Sequence, residues 1–238
     1  MVAGLPTTMM MEKMALTAVM QVNLLAALRL YLVTDQMGLH GRRLTDVVLA
    51  AVQGGVSCVQ LREKNLGTRD FVALACVMKD LLAPFGVPLV INDRIDVALA
   101  CGAQGLHLGQ SDMPVALARR LLPPEVIIGL SVETADHVAQ AQGQAVDYLG
   151  VSPVYATPTK TDTAAPWGLS GLRLVRGMTT LPLVAIGGIH QGNASEVLAA
   201  GADGLAVVSA ICSAADPCAA ARSFGQFFEP FRHSCGFI

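Results

Sequence analysis

Aromatic residues, long apolar runs and a surplus of either charge are all scarce in this 238-residue chain. Aromatics make up 5% of it, with a single tryptophan, and charged residues make up 14%. An all-β binding module usually carries more Tyr, Trp and Thr than this, so that class is disfavoured. Sixteen Lys and Arg against eighteen Asp and Glu give a formal net charge of −2, without the basic surplus typical of nucleic-acid-binding proteins.

No uninterrupted apolar stretch reaches the ~18 residues that suggest a membrane span. The nearest candidate, Met14–Val33, is interrupted by Gln21, Asn23 and Arg29. The uncharged start also lacks the basic residues of a secretory signal. We therefore predict no membrane partner. Residues 1–28 are predicted to form an N-terminal extension, helical or partly disordered, over the base of the fold.

Paired cysteine motifs are missing too. The cysteines include no C-x-x-C pair, and their spacing matches no zinc or haem pattern. They are Cys58, Cys76, Cys101, Cys212, Cys218 and Cys235. Most lie in apolar surroundings, where a free cysteine behaves as a small hydrophobe. We expect reduced, structural thiols and a cytoplasmic location.

The sequence is 53% hydrophobic, and short β-rich runs alternate with helical stretches. Most of the runs are apolar throughout, as strands buried on both faces are. The predicted strands are Leu30–Thr34, Cys58–Arg62, Pro88–Asn92, Gly105–Leu108, Ile127–Ser131, Tyr148–Ser152, Leu183–Gly187 and Gly204–Val208. The predicted helices are Thr45–Gln53, Thr68–Leu82, Asp93–Ala100, Met113–Leu121, Thr134–Gln142, Leu172–Met178, Asn193–Ala200 and Pro217–Phe228.

An internal repeat supports a regular architecture. The run GAQGL at Gly102–Leu106 returns as GADGL at Gly201–Leu205, 99 residues later (201 − 102). If a strand–helix unit takes roughly 25 residues, the copies belong to the fourth and eighth of eight units. We predict an α/β fold with a single (β/α)8 TIM barrel over residues 29–230 and a tail at 231–238. An open doubly wound sheet is the alternative, although the Thr34–Gln36 turn lacks its glycine-rich fingerprint.

Active sites of TIM barrels lie just after the carboxyl ends of the strands, and polar side chains gather there in this sequence. Gln60, Arg62 and Lys64 alternate with Leu61 and Glu63 at the end of the second strand. The alternation directs the first three towards the barrel mouth. A solvated loop accounts for Lys64 but not for Gln60 and Arg62 inside an apolar run.

Two carboxylates follow the third and fourth strands. Asp93 and Asp112 could hold one Mg²⁺, which accepts a few carboxylates together with phosphate oxygens and water. The alternative is that each residue caps a helix. With Arg62 and Lys64 facing them, the pair favours a metal–diphosphate site.

Later loops carry signals for phosphate. Residues 153–170 form a long polar loop with Lys160, which suggests a lid or a phosphate clamp, with a disordered insertion as the alternative. Gly188 and Ser209 follow the seventh and eighth strands. Backbone N–H groups commonly cradle a phosphate at this place in the fold.

Two polar side chains belong to predicted strands. Ser131 ends the fifth strand, where its hydroxyl would face the same cavity. His107 lies mid-strand among apolar neighbours, which favours a satisfied interior residue, with general-base catalysis as the alternative. No Ser-His-Asp arrangement is evident, so hydrolysis through a covalent intermediate is not expected.

Together these stretches resemble the thiamine phosphate synthase family over about residues 30 to 215. The runs that carry the resemblance are Tyr31–Asp35, Gln60–Lys64, Asn92–Arg94, Gly105–Asp112, Thr157–Lys160, Gly187–Ile189 and Val208–Ser209. No single run is specific, but their combination in this order is. Members of the family are TIM barrels that join a hydroxymethylpyrimidine diphosphate to a thiazole phosphate, making thiamine phosphate and releasing pyrophosphate.

The resemblance implies a role for each matching residue. Mg²⁺ would be held by Asp93 and Asp112. The pyrimidine diphosphate would be bound by Gln60, Leu61, Arg62, Glu63, Lys64, Asn92, Ser131 and Lys160. The thiazole phosphate would be bound by Thr157, Pro158, Thr159, Gly188, Val208 and Ser209. The residues expected to act in catalysis are Arg62, Lys64, Ser131 and Lys160. The expected partners are these two substrates, without nucleic acid or membrane, and a homo-oligomer is compatible with the sequence.

Two positions depart from the family pattern. Glu133 precedes Thr134 where members often carry His, which puts the local helix start in question. Ser170 stands before Gly171 in place of the usual acidic residue, which should change only a helix cap. Two alternatives remain. A related thiazole tautomerase would need the phosphate cradle but neither carboxylate nor the Arg62/Lys64 pair, and a phosphate-sensing barrel would bind without turnover.

Overall fold

The computed structural model describes residues 24–157 and 164–228. Its eight strands are parallel and hydrogen-bonded in sequence order, and the first also pairs with the last, which closes the sheet. The strands are β1 (Leu30–Val33), β2 (Cys58–Leu61), β3 (Leu89–Asn92), β4 (Gly105–Leu108), β5 (Ile127–Val132), β6 (Tyr148–Val151), β7 (Leu183–Ile186) and β8 (Gly204–Val207). The predicted TIM barrel is confirmed, and the alternative prediction of an open doubly wound sheet is wrong.

Helices cover the outside of the barrel. They are α1 (Leu44–Gln53), α2 (Thr68–Leu82), α3 (Ile95–Cys101), α4 (Val115–Leu121), α5 (Ala135–Ala141), α6 (Gly168–Met178), α7 (Ala194–Ala199), α8 (Ser209–Cys212) and α9 (Pro217–Gly225). Helix α6 starts four residues before the predicted Leu172. Helix α8 was not predicted, because four residues are too few for a helical period to show.

Alternation along the strands divides the apolar residues into two layers. In β1, Leu30 and Leu32 face the helices, whereas Tyr31 and Val33 face the barrel interior. The inner layer comprises Leu28, Tyr31, Val33, Cys58, Val90, Tyr148, Val184 and Ala206. Because both faces of each strand are buried, the strands read as continuous apolar runs.

The repeated glycine motifs enter β4 and β8, as predicted. Gly102 ends α3 in the left-handed conformation, with φ 63°. A Cβ on Gly204 would collide with the carbonyl oxygen of Leu28, so the chain passes the start of β8 at very close range. Residues 24–28 are helical and Leu28 belongs to the inner layer, which places this segment at the amino-terminal end of the barrel. The rest of the extension and the predicted tail lie outside the described residues.

The five cysteines in the described ranges are free thiols, and Cys58, Cys101 and Cys212 are buried. This agrees with the predicted structural role. None of the helices in these ranges is long and apolar enough to cross a membrane.

Candidate active site

A cavity of about 580 Å³ opens at the carboxyl ends of the strands. It collects predicted site residues from the ends of seven of the eight strands, and inner-layer residues such as Tyr31 and Tyr148 also line it. The predicted residues that line it are Gln60, Arg62, Lys64, Asn92, Asp93, Asp112, Ser131, Thr157, Gly188, Val208 and Ser209.

Leu61 and Glu63 do not line this cavity. The Leu61 side chain is fully buried between barrel and helices. Glu63 Oε1 accepts a hydrogen bond from Gln36 Nε2 at 2.9 Å, and burial raises the pKa of the Glu63 carboxyl. The alternation that turns Gln60 and Arg62 inwards turns these two outwards. Their side chains therefore do not fit the substrate contacts predicted for them.

Three further predicted site residues, Pro158, Thr159 and Lys160, lie outside the described residues, so their roles stay predictions. Both flanks of their loop are described. Thr157 lines the cavity, and Ala164 N–H donates to Glu133 Oε2 at 3.3 Å.

The far end of the same loop is anchored to the barrel through Trp167 and Gly168. Trp167 N–H donates to the carbonyl oxygen of Pro153 at 2.9 Å, and Gly168 N–H donates to that of Val154 at the same distance. The Trp167 ring nitrogen also donates to the Val132 carbonyl. These bonds fix where the loop returns to the barrel.

Both departures from the family pattern leave their helices intact. Beside Glu133, Thr134 still caps α5, because its side-chain oxygen accepts a hydrogen bond from His137 N–H at 3.2 Å. Helix α6 begins after Trp167 with no side-chain cap, which agrees with the missing acidic residue.

Asp93 and Asp112 lie side by side at the rim between β3 and β4. Lys64 Nζ is 2.5 Å from Asp93 Oδ2, and Gly109 N–H donates to Asp112 Oδ2 at 2.7 Å. Burial raises the pKa of the Asp112 carboxyl, the Asp93 carboxyl raises it further, and the Gly109 N–H opposes both. Two carboxylates at such close range attract a further positive charge.

Neither aspartate caps a helix, so that alternative is wrong. The N-cap positions of α3 and α4 belong to Arg94 and Pro114. Asp93 has a left-handed backbone, with φ 61°, and this moves the start of α3 from the predicted Asp93 to Ile95. Non-glycine residues in this conformation are uncommon and cluster at functional sites.

The acidic pair fits Mg²⁺ by chemistry, since carboxylate oxygens are ligands that Mg²⁺ prefers. Within the described ranges, no group of three or more His, Cys, Asp or Glu side chains could hold a metal ion. A cation beside Asp93 and Asp112 would therefore need phosphate oxygens and water to complete its coordination.

The opposite side of the rim is formed by the loops after β7 and β8. Gly188 has φ 64°, and a Cβ there would lie 2.8 Å from Tyr155 Cβ and 3.1 Å from the carbonyl oxygen of Ala156. Within the described parts of the chain, the N–H groups of Gly188 and Ile189 have no acceptor. Together with the first turn of α8 at Ser209, they form a glycine cradle suited to a phosphate.

A chain of hydrogen bonds among residues that line the cavity crosses the barrel. Gln60 Nε2 donates to Tyr31 Oη at 3.0 Å, and the hydroxyl oxygens of Tyr31 and Tyr148 lie 2.8 Å apart. His107 Nδ1 is 2.9 Å from Tyr148 Oη, and His107 Nε2 is 2.9 Å from Ser131 Oγ. His107 is thus a hydrogen-bonded interior residue, as predicted. The two tyrosines were missed, although each is a lone phenol at an inward position of an aliphatic strand.

The fold and the site define a TIM-barrel enzyme for phosphorylated substrates, with acidic and cationic groups on one side of its mouth and a glycine cradle on the other.

Comparison with known proteins gives the family. The family model described as thiamine monophosphate synthase matches residues 30–211. A thiamine-phosphate synthase from Albidiferax ferrireducens is 73% identical over 205 residues, covering 86% of this chain and 94% of that one. One from Vibrio parahaemolyticus is 53% identical over 197 residues, covering 82% and 96%. The solved structure of a thiamine phosphate pyrophosphorylase from Pyrococcus furiosus has 35% identity and a TM-score of 0.79, covering 87% and 98%. The chain belongs to the thiamine monophosphate synthase family.

Proposed function

We propose that this chain condenses 4-amino-2-methyl-5-(diphosphooxymethyl)pyrimidine with 4-methyl-5-(2-phosphoethyl)thiazole, or its carboxylated form, to give thiamine phosphate and pyrophosphate. Family membership supports this reaction. The observation that carries it is a single cavity with two anion-binding regions on opposite sides of the ring of strands, at β2–β4 and at β7–β8. A reaction that joins two phosphorylated molecules needs both.

The diphosphate belongs beside β2, β3 and β4. Arg62 and Lys64 supply positive charge there, and Asp93 and Asp112 would hold Mg²⁺. When bound, this ion neutralises charge that develops on the departing diphosphate. Lys160, on the loop after β6, is assigned to the same leaving group.

The bond that breaks joins the diphosphate oxygen to the methylene carbon of the pyrimidine. Its electron pair leaves with the diphosphate, where Arg62 and Lys64 stabilise the negative charge. The amino group of the pyrimidine ring stabilises the cationic methylene that remains, so the displacement is dissociative. Ser131 holds the ring in place. No protein nucleophile is required.

The thiazole nitrogen then forms the new carbon–nitrogen bond. The phosphate of the thiazole, held at Gly188 and Ser209, keeps this nitrogen close to the methylene carbon. Positioning of this kind converts a bimolecular step into an effectively unimolecular one.

The decisive experiment incubates the purified chain with both substrates, with Mg²⁺ or with a chelator, and measures pyrophosphate and thiamine phosphate. We expect equal amounts of the two products, and only with the metal. Isomerisation of a thiazole without pyrophosphate release would identify a tautomerase, and tight substrate binding without turnover would identify a phosphate sensor. Either result would refute the proposed synthase.

A cytoplasmic location and assembly into a homo-oligomer are part of this proposal. The first is supported by the cysteine spacing, which fits reduced thiols. Sedimentation of the purified chain tests the second.

A further inference from the structure

Hydrogen bonds link Gln60, Tyr31, Tyr148, His107 and Ser131 into a hydrogen-bond chain. These bonds all run from donor to acceptor in the same direction. Burial raises the pKa of Tyr31 and Tyr148 far above the usual value for a phenol, so both keep their hydrogens. Each phenol therefore donates one hydrogen bond and can accept others. Gln60 Nε2, at the β2 end of the chain, is an amide nitrogen and only donates.

These properties determine where each hydrogen lies. Tyr31 Oη accepts from Gln60, so its own hydrogen goes to another acceptor. The Tyr148 oxygen, 2.8 Å away, is a stronger acceptor than the neighbouring thiol of Cys58. Tyr148 then donates its own hydrogen to His107 Nδ1 at 2.9 Å.

The direction continues to Ser131. Because Nδ1 of neutral His107 accepts, its ring hydrogen is on Nε2, 2.9 Å from Ser131 Oγ. The Ser131 oxygen accepts that hydrogen bond, and its own hydrogen is left for another acceptor. Ser131 lines the cavity, so a bound ligand can supply that acceptor.

Neighbouring glycines leave room for these two rings. A Cβ on Gly150 would lie 2.9 Å from His107 Cε1, and one on Gly129 would collide with the Tyr148 ring. The rings of His107 and Tyr148 lie 5.5 Å apart, centre to centre. Such tight surroundings keep His107 in the orientation that joins Tyr148 to Ser131.

We propose that Tyr148 is a positioning residue: it holds His107 as the Nε2-protonated tautomer, and so makes Ser131 a hydrogen-bond donor towards an acceptor nitrogen of the pyrimidine substrate. The identity of the ligand rests on the proposed function. The position of the histidine hydrogen does not.

The first test reads the tautomer directly. Long-range proton–nitrogen correlation spectra of histidine-labelled protein distinguish a protonated from a bare ring nitrogen, and His107→Gln identifies the signal. We expect hydrogen on Nε2 and none on Nδ1 in the unsubstituted chain. Hydrogen on Nδ1 overturns the proposal, and this readout stands even if no pyrophosphate is ever released.

A substitution of Gln60, at the other end of the hydrogen-bond chain, should reverse the donor-to-acceptor direction of its hydrogen bonds. In Gln60→Glu, the carboxyl accepts from Tyr31, Tyr31 accepts from Tyr148, and Tyr148 accepts from His107. We expect the ring hydrogen to move to Nδ1 in the same spectra. If the hydrogen stays on His107 Nε2, the hydrogen-bond chain does not set the tautomer, and the proposal is overturned. This variant keeps the proposal testable if Tyr148→Phe fails to fold.

The second test asks whether Tyr148 acts through Ser131. Tyr148→Phe should raise the KM for the pyrimidine diphosphate about tenfold, the size of a lost hydrogen bond that leaves a polar group unpaired. The KM for the thiazole phosphate should stay within about twofold. In a Ser131→Ala background, the same substitution should change the pyrimidine KM by less than about twofold, because coupled sites are not additive. Fully additive effects overturn the proposal.

The protein contains a matched control residue for Tyr148. Tyr155 is its third tyrosine, and its ring packs against the outer layer instead of the cavity. Tyr155→Phe makes the same chemical change and should leave both KM values and the His107 signal unaltered. A comparable rise in the pyrimidine KM in Tyr155→Phe would show that the Tyr148 effect is not specific, and would count against the proposal.

Discussion

Asp112 has its carboxyl in a place where ionisation is unfavourable. Partial burial and the neighbouring Asp93 both raise its pKa. A carboxylate placed beside another carboxylate destabilises the protein unless cations compensate, and Lys64, which pairs with Asp93, supplies one positive charge against two negative ones. The physical argument for Mg²⁺ therefore rests on the charge balance of these three side chains, which leaves one negative charge uncompensated.

Replacement of this carboxylate should remove most of the activity. Asp112→Asn keeps the shape of the side chain and an oxygen that can accept from Gly109 N–H, but it loses the charge. We expect kcat to fall by about 10²–10³, because a metal contributes several kcal/mol to the transition state and each 1.36 kcal/mol is tenfold. The rate of pyrophosphate release under saturating substrates measures kcat. Asp96→Asn is the control, since Asp96 pairs with Arg94 and does not line the cavity. Near-normal activity in Asp112→Asn would remove the metal assignment.

The same two variants should shift stability in opposite directions. The folded-state pKa of Asp112 is raised, so its ionisation disfavours folding as the pH rises above about 3.9, the usual value for Asp. Asp112→Asn should then be more stable than the unsubstituted chain at pH 7 without metal. The pKa of Asp96 is lowered by its hydrogen bonds with Arg94, so Asp96→Asn should be slightly less stable at pH 7.

Urea denaturation of both variants across the pH range checks these signs. The Asp112 difference should vanish once the pH falls below about 3.9, the usual value for Asp, whereas the Asp96 difference should persist until the pH falls through the lowered folded-state pKa of Asp96. A loss of stability in Asp112→Asn at pH 7 would show that its carboxylate is already compensated without a metal.

Lys160 is assigned to the diphosphate by the sequence alone. Lys160→Ala should lower the rate of the chemical step about hundredfold, as the removal of one group that stabilises developing charge does. Single-turnover measurements with both substrates saturating isolate that step. An effect limited to the affinity for the thiazole phosphate would contradict the assignment.

At the scale of elements, α6 contains three glycines, and two of them, Gly171 and Gly177, have different surroundings. A Cβ on Gly171 would lie 2.8 Å from the Trp167 ring, whereas a Cβ on Gly177, which is exposed, would meet nothing within 4 Å. Gly177→Ala should therefore stabilise the protein by up to about 0.5–1 kcal/mol through helix propensity. Gly171→Ala should displace Trp167 and destabilise the protein.

The single tryptophan makes this comparison easy to follow. Thermal unfolding gives the two stabilities, and the emission of Trp167 reports its displacement. We expect altered emission in Gly171→Ala only. Equal effects of the two substitutions would mean that the Trp167 contact does not limit the space around Gly171.

At the scale of the whole molecule, a closed ring of strands leaves no edge from which the sheet can open in part. Cys58 lies inside the barrel and Cys212 in the outer layer, and both are buried. Burial raises the pKa of the Cys58 thiol, and that of Cys212 to about 11, so neither forms the reactive thiolate near pH 8.

These two thiols should therefore become reactive together. Mass spectrometry after brief labelling at increasing urea should find both modified over the same range, while the half-buried Cys76 and Cys218 react earlier. Modification of Cys212 well before Cys58 would show that the outer layer separates from the barrel first.

The sequence alone determined the order of elements and the positions of most of the site. Strand runs buried on both faces, and polar residues such as Arg62 and Asp112 at their ends, are local patterns, and a TIM barrel brings strand ends to one face. The repeated glycine motif at Gly102 and Gly201 likewise assigns two of the eight strand–helix units without reference to tertiary contacts.

The tertiary structure decided which of these groups touch. Tyr31 and Tyr148 are 117 positions apart, and only closure of the barrel brings their hydroxyls together. The pairing of Lys64 with Asp93, and the outward position of Glu63, also depend on where each strand end lies in the ring. A sequence period shows which face a side chain occupies, but a hydrogen bond requires tenths of an ångström, and the packing of the whole barrel sets that distance.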